Sequence, residues 1–176
     1  TSYGGTITLI EDISDVEKLK FSESSKVAFV TQTTLSVDDT QELKDSLINK
    51  FPDIIGPKKD DICYATQNRQ DAVKQLALES DLVIVIGSEN SSNSNRLREI
   101  AERSGVKAYL IDSVGDLPAE FLEGKKRIGL TSGASAPEHL VTEVIDTLTK
   151  KYGFKLQGNR TRTDEGISFR LPKGLR

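Results

Sequence analysis

Residues Leu82–Ile86 form an unbroken run of five apolar side chains, and Gly87 follows at once. A run this short is poor material for a helix, and without alternation it cannot be a strand with one wet face. It reads as a strand covered on both sides, the situation of a parallel sheet flanked by helices. Such a strand needs partners. The chain offers Thr6–Ile10, Lys26–Thr31, Lys107–Ile111 and Arg127–Thr131 as further strands. Between them lie four helix candidates, Ser36–Phe51, Gln67–Leu78, Asn95–Arg103 and Pro137–Leu148. The first places Val37, Leu43, Leu47 and Phe51 at helical spacing, and the second places Ala72, Val73, Leu76 and Ala77 on one face. Strands alternating with helices define the α/β class, with right-handed crossovers between parallel strands.

The 176 residues suffice for one large domain or two small ones. Proline, glycine and charge concentrate in Phe51–Asp61, "FPDIIGPKKDD", which marks a boundary. Two small α/β domains with mainly parallel sheets are therefore expected: residues 1–60 as part of one, 61–152 as the next, and 153–176 as a tail with a candidate strand at Ile167–Leu171. The tail reads as a surface strand with a loose end, or as a basic arm for an acidic partner. With 36% hydrophobic and 29% charged residues the composition is that of a globular protein. A net charge of −3 speaks against nucleic acid as a partner. No apolar run approaches the roughly 20 residues of a membrane span, and no basic, apolar leader opens the chain. A single cysteine excludes an internal disulfide and fits a reducing, intracellular compartment. There is no methionine at all, so the chain is expected to belong to something longer.

Three polar turns share one character. Phe29–Asp39 ("FVTQTTLSVDD"), Val85–Asn95 ("VIGSENSSNSN") and Gly129–His139 ("GLTSGASAPEH") each carry a strand's carboxyl end into a helix through hydroxyls, amides and small residues. Capping explains part of this: Ser36 with Asp39, and Ser135 with Glu138, have capping-box spacing. The middle turn exceeds that need, with Ser88, Asn90, Ser91, Ser92, Asn93, Ser94 and Asn95 together. Amides at a helix start favour an anion, and short neutral side chains add donors without filling space. Ligands of open α/β sheets lie beyond the carboxyl ends of the strands. A phosphate or diphosphate site is the functional reading, and caps with turns are the structural one. Neither a P-loop nor a dinucleotide fingerprint is present, which favours a small phosphorylated ligand over a nucleotide.

Cys63 stands in "DDICYATQNRQ" with a cap-like Thr66 behind it. A lone cysteine is commonly a small buried hydrophobe, although a helix start lowers thiol pKa. One thiolate cannot hold a metal centre, so any companions lie elsewhere. The only histidine, His139, has no triad pattern around it and reads as a surface or packing residue.

Four motifs in order, "TQTTLSVDDT", "GPKKDDICYATQNRQ", "GSENSSNSNRL" and "SGASAPE", resemble the second half of the 4-hydroxy-3-methylbut-2-enyl diphosphate reductase family, also called IspH or LytB. The resemblance covers nearly the whole chain. It implies two of the three α/β domains of the family's fold. It also implies an oxidoreductase of the methylerythritol phosphate route of isoprenoid biosynthesis, which reductively dehydroxylates an allylic diphosphate to isopentenyl and dimethylallyl diphosphates. By the same resemblance Cys63 is one of three cysteine ligands of a 4Fe-4S cluster. Thr33 lies at the substrate's reacting end in a catalytic and substrate-binding role, and Ser91, Ser92, Asn93 and Ser135 bind the diphosphate. Implied partners are a ferredoxin or flavodoxin-type electron donor and the family's first domain, which brings the other two cysteines, the histidines and a proton-relaying glutamate. Without that domain the chain is expected to be inactive. The implied location is the cytoplasm, or a plastid in an organism that has one. A noncatalytic phosphosugar- or diphosphate-binding module is the rival reading, and it would make no use of Cys63.

Overall fold

The computed structural model describes residues 4–22 and 25–157. Leu82–Ile86 is strand β1, and all of it is buried. Strands β2 (Ala108–Ile111) and β3 (Ile128–Ser132) flank it, both parallel, in the order β2-β1-β3. The central position accounts for the unbroken apolar run. Alternate side chains enter opposite layers. Leu82, Ile84 and Ile86 pack with Ile111, Leu117, Leu122, Val144 and Leu148. Val83 and Val85 pack with Val73, Leu97, Ile100, Ala101 and Ala108. Helices α3 (Tyr64–Leu78) and α4 (Ser92–Arg103) supply the second layer. Helix α5 (Glu138–Asp146) and the π turn Thr147–Lys151 after it supply part of the first. Each large aliphatic side chain so buried stabilises the fold by about 1.5–3 kcal/mol relative to exposure.

The amino-terminal edge of the sheet is pinned by Asp81. Its carboxylate accepts from the amides of Lys126 (2.8 Å) and Arg127 (2.9 Å), and its own amide donates to the Arg127 carbonyl at 2.8 Å. The Arg127 and Lys126 amides hold this carboxyl below its ordinary range.

The first sixty residues are built differently. Helix α1 (Ile13–Lys18) is capped by Asp12, whose carboxylate accepts from the Asp15 amide at 3.0 Å. Helix α2 (Val37–Lys50) starts at Ser36, whose hydroxyl accepts from the Asp39 amide at 3.2 Å, and ends at Phe51, as the apolar spacing predicts. Thr6–Ile10, expected as a strand, is not one. Lys26–Thr31 reaches only a single parallel bridge, Ala28 with Ile55. Both segments have strand-like composition, but no neighbouring strand among the described residues completes their ladders. Among the described residues one three-stranded parallel sheet thus stands where two sheets were expected.

Three helix starts also differ from expectation. Helix α3 begins at Tyr64 rather than Gln67, with Cys63 as its N-cap, so Thr66 lies buried inside the helix instead of capping it. Its buried stripe is Thr66, Gln70, Val73 and Ala77, while Ala72 is exposed and Leu76 half-buried. Helix α4 begins at Ser92, not Asn95. The capping box expected of Ser135 and Glu138 does not form: Pro137 is the N-cap of α5, with no side-chain capping bond. The tail candidate Ile167–Leu171 lies outside the described residues.

Candidate functional site

The structure sorts the polar residues of the middle turn by what each one does. Ser88 accepts from the Asn90 amide at 3.2 Å. Asn95 donates from its side-chain amide to the carbonyls of Glu89 (2.6 Å) and Ser91 (3.1 Å). Ser91 caps α4, accepting from the Ser94 amide at 3.2 Å and from the Ser94 hydroxyl at 3.0 Å. Two accepted bonds occupy the Ser91 oxygen and leave its own proton as an outward donor. Ser92 is exposed.

Asn93 has no such structural employment. It is 6% exposed, and neither its amide nitrogen nor its carbonyl oxygen has a hydrogen-bond partner. A buried polar group without a partner costs about 1–3 kcal/mol, and native structures contain few. An amide in this state at a helix start has both a donor and an acceptor to offer a polar group.

Close packing brings the β1–α4 and β3–α5 turns together. The Gly133 amide donates to the Ile86 carbonyl at 2.9 Å, extending the β1–β3 ladder beyond the strand. A Cβ on either Gly87 or Gly133 would collide with the Ser94 hydroxyl, so both glycines permit the approach. A Cβ on Gly133 would also lie 3.8 Å from the Asn93 amide nitrogen. Ser135, two residues further on, is exposed on the same turn. The middle turn and the Gly133–Ser135 turn therefore share the carboxyl edge of the sheet, as the position of ligand sites in open α/β sheets requires.

Helix α3 adds Cys63 to that edge. It enters β1 through Glu79–Asp81, so the chain reverses and the start of α3 lies at the far, carboxyl end of the strand. Consistently, a shallow groove of about 750 Å³ is lined by Asn68, Arg69 and Ala72 of α3 together with Leu130, Thr131 and Ser132 of β3. Cys63 is exposed, and its thiol makes no capping bond. Its amide donates to the Thr33 carbonyl at 3.0 Å, which binds the first polar turn to the start of α3. Asp61 adds to this join by accepting from the Thr31 amide at 2.8 Å. Thr33 itself is exposed. A second groove, of about 610 Å³ between α1 and α2, carries Glu17, Glu42 and Asp45 against Lys50. The Lys50 ammonium is committed to the Val16 and Glu17 carbonyls, so that groove suits no diphosphate. His139 is exposed, as its surface reading predicts.

Two features escaped the sequence. Gln70, fully buried, reaches from α3 to the first turn, and Asp61 pins the same segment. The one available signal for Gln70 was an amide at core spacing, in line with Thr66, Val73 and Ala77.

The chain is thus a parallel α/β sheet with two polar turns at its carboxyl edge, and a third polar turn is joined at Thr33 to the start of the helix that follows Cys63. The family model described as "LytB protein" matches residues 1–149, and the chain belongs to that family. The 4-hydroxy-3-methylbut-2-enyl diphosphate reductase of Saccharophagus degradans is 60% identical over 176 residues, all of this chain and 56% of its own length. The corresponding protein of Alcanivorax borkumensis is 59% identical over 175 residues, 99% of this chain and 56% of its own. Among solved structures, the E-1-hydroxy-2-methyl-but-2-enyl-4-diphosphate reductase of Plasmodium falciparum superposes with a TM-score of 0.85 at 38% identity, over 94% of this chain and 52% of that one. The chain thus spans about half the length of the relatives it matches.

Among the described residues no group of three or more histidine, cysteine or acidic side chains is placed to hold a metal ion. The exposed Cys63 can supply one ligand. The described residues do not by themselves hold a cluster. No helix among them is long and apolar enough to cross a membrane.

Proposed function

We propose that this chain supplies the diphosphate-binding portion of a 4-hydroxy-3-methylbut-2-enyl diphosphate reductase of isoprenoid biosynthesis. Residues 1–60 belong in this reading to one α/β domain and 61–152 to the next, and the remaining half of the relatives' length completes the enzyme. The observation that carries the reading is the orphaned amide of Asn93, buried at the carboxyl edge of the sheet in a chain of this family. Ser91, Ser92, Asn93 and Ser135 donate to the diphosphate oxygens, assisted by the positive end of α4. Fixing the diphosphate there fixes the allylic end as well, so orientation supplies part of the rate. Thr33 orients the hydroxyl to be lost and holds its proton at the Thr33 hydroxyl. Cys63 would be one of three cysteine ligands of a 4Fe-4S cluster completed by the rest of the enzyme, and that group would supply electrons drawn from a ferredoxin or flavodoxin-type donor. An exposed, unpaired thiol suits a reducing compartment, the cytoplasm or a plastid.

The test is a full-length chimaera in which this chain replaces the matching part of the Saccharophagus degradans relative. Reconstituted without oxygen, it is expected to show cluster absorbance and to convert the allylic diphosphate. The Cys63→Ser variant should retain less iron and form no product. A Cys63→Ser variant that keeps full iron and activity would remove the thiol from the site.

A further inference from the structure

We propose that Gln70 is a positioning residue that clamps the Thr33 turn onto the Cys63 helix, a role that rests on the functional reading above. Gln70 is 0% exposed. Its side-chain oxygen accepts from the Val37 amide at 3.0 Å, and its nitrogen donates to the Leu35 carbonyl at 2.8 Å. Those two partners flank Ser36, the cap of α2, which is itself buried. A primary amide of this length is required, because one group must accept and donate in the same plane. A glutamate there would place an acceptor against the Leu35 carbonyl, and an asparagine would fall short. The burial makes the contact dry, and so strong when made and costly when broken.

The Thr33 turn is thus tied to α3 and the residues before it at successive points. The Thr31 amide binds Asp61, the Thr33 carbonyl binds the Cys63 amide, and Leu35 with Val37 bind Gln70. Without Gln70 the downstream half of the turn loses both side-chain ties, and Thr33 keeps one backbone bond. The diphosphate turns at Ser91–Asn93 and Ser135 have no hydrogen bond to Gln70, and neither does Cys63. The clamp therefore sets where the threonine hydroxyl sits relative to the thiol, while anion binding and metal ligation proceed without it.

Two variants of the chimaera test this. Gln70→Met keeps the volume and removes both hydrogen bonds. Val37→Pro removes the donor opposite, at the first position of a helix where proline is tolerated, behind a Ser36 backbone already extended at φ −62°, ψ 129°. Each is expected to lower kcat about 10- to 100-fold, the scale of a misplacement near 1 Å. KM and iron content should stay within about twofold of the parent. Combined, the two should cost no more than the worse single change, since they break one contact. Faster hydrogen exchange at the Val37 amide in Gln70→Met would report the clamp without reference to turnover. Parent-like kcat in either variant, or additive losses, would overturn the proposal. So would kcat and affinity falling together with thermal stability, the mark of a merely structural role. An unmutated chimaera that makes no product would defeat the functional reading and the positioning role with it, while the exchange measurement would still show whether the clamp exists.

Discussion

The two halves of this chain solve the problem of burying a strand to different degrees. In the second half, β1 sits between two parallel neighbours with helices over both faces, and none of its residues is exposed. In the first half, Ile7 is 97% exposed and Val30 83%, and among the described residues one parallel bridge is all the ladder that forms. In the bridge, Ala28 pairs with Ile55, and strand alternation puts Ala28, Val30 and Ile55 on one bare face, while Val27 and Phe29 on the other are half-buried. An exposed apolar face of this kind marks a surface meant to be covered. The carboxyl-terminal half carries a self-sufficient layer. Among the described residues the amino-terminal half carries two helices and a single bridge, in a chain that spans about half the length of its relatives.

That contrast can be broken most severely in the core. In the 176-residue chain, Ile84→Ala is expected to cost about 2–5 kcal/mol in denaturant unfolding. Val30→Ser should stay within about 0.5 kcal/mol and reduce light scattering from association. If the part of the relatives' length outside the match covers that face, Val30→Ser will cost more in the chimaera than in the chain alone. Equal costs for the two positions in the isolated chain would erase the distinction.

The seam between the halves gives a smaller effect. Arg103 of α4 pairs with Asp39 of α2 at 2.8 Å, and Arg96 approaches the same carboxylate at 3.7 Å. The carboxylate holds the Arg103 guanidinium above its ordinary range. These groups are partly exposed, so solvent screens them, and Asp39→Ala should cost about 0.2–1 kcal/mol, shrinking in high salt. A larger, salt-independent loss would mean that the halves are joined by packing instead.

The smallest effect appears only in acid. Asp81 is depressed in the folded state by the Arg127 and Lys126 amides, so its stabilisation is present above the unfolded carboxylate pKa of 3.8 and disappears as pH falls through the lower folded value. Between pH 6 and pH 3 the parent chain should therefore lose more stability than Asp81→Asn. Identical pH profiles would show that the carboxylate does not pin the sheet edge.

Much of the fold was legible where its signals are local. The apolar run of β1 needs burial on both faces wherever it sits, and the spacing in Val37–Lys50 repeats every turn. Thr6–Ile10 and Lys26–Thr31 carry equally good strand composition, yet a strand exists only where a partner completes its ladder, and composition does not say whether the partner is present. Helix starts were misplaced by a few residues for a related reason. Cys63 and Ser91 take the cap positions ahead of Thr66 and Asn95 because tertiary packing draws Thr66, Asn93 and Ser94 inward. The polar turns were visible as a set, whereas the division of labour among their side chains was not. Nothing local distinguishes Asn93 from Asn95, although the first is orphaned and the second closes a loop. Gln70 is the extreme case, since its partners lie more than thirty residues away in sequence.

The most direct measurement is calorimetric titration of the chimaera with 4-hydroxy-3-methylbut-2-enyl diphosphate, parent against Asn93→Ala. Removing a buried amide that lacks partners should leave the melting temperature unchanged or raise it, while the loss of its ligand bonds should weaken binding about tenfold, near 1.4 kcal/mol. Parent-like affinity in Asn93→Ala would contradict the assignment of this sheet edge as the diphosphate site.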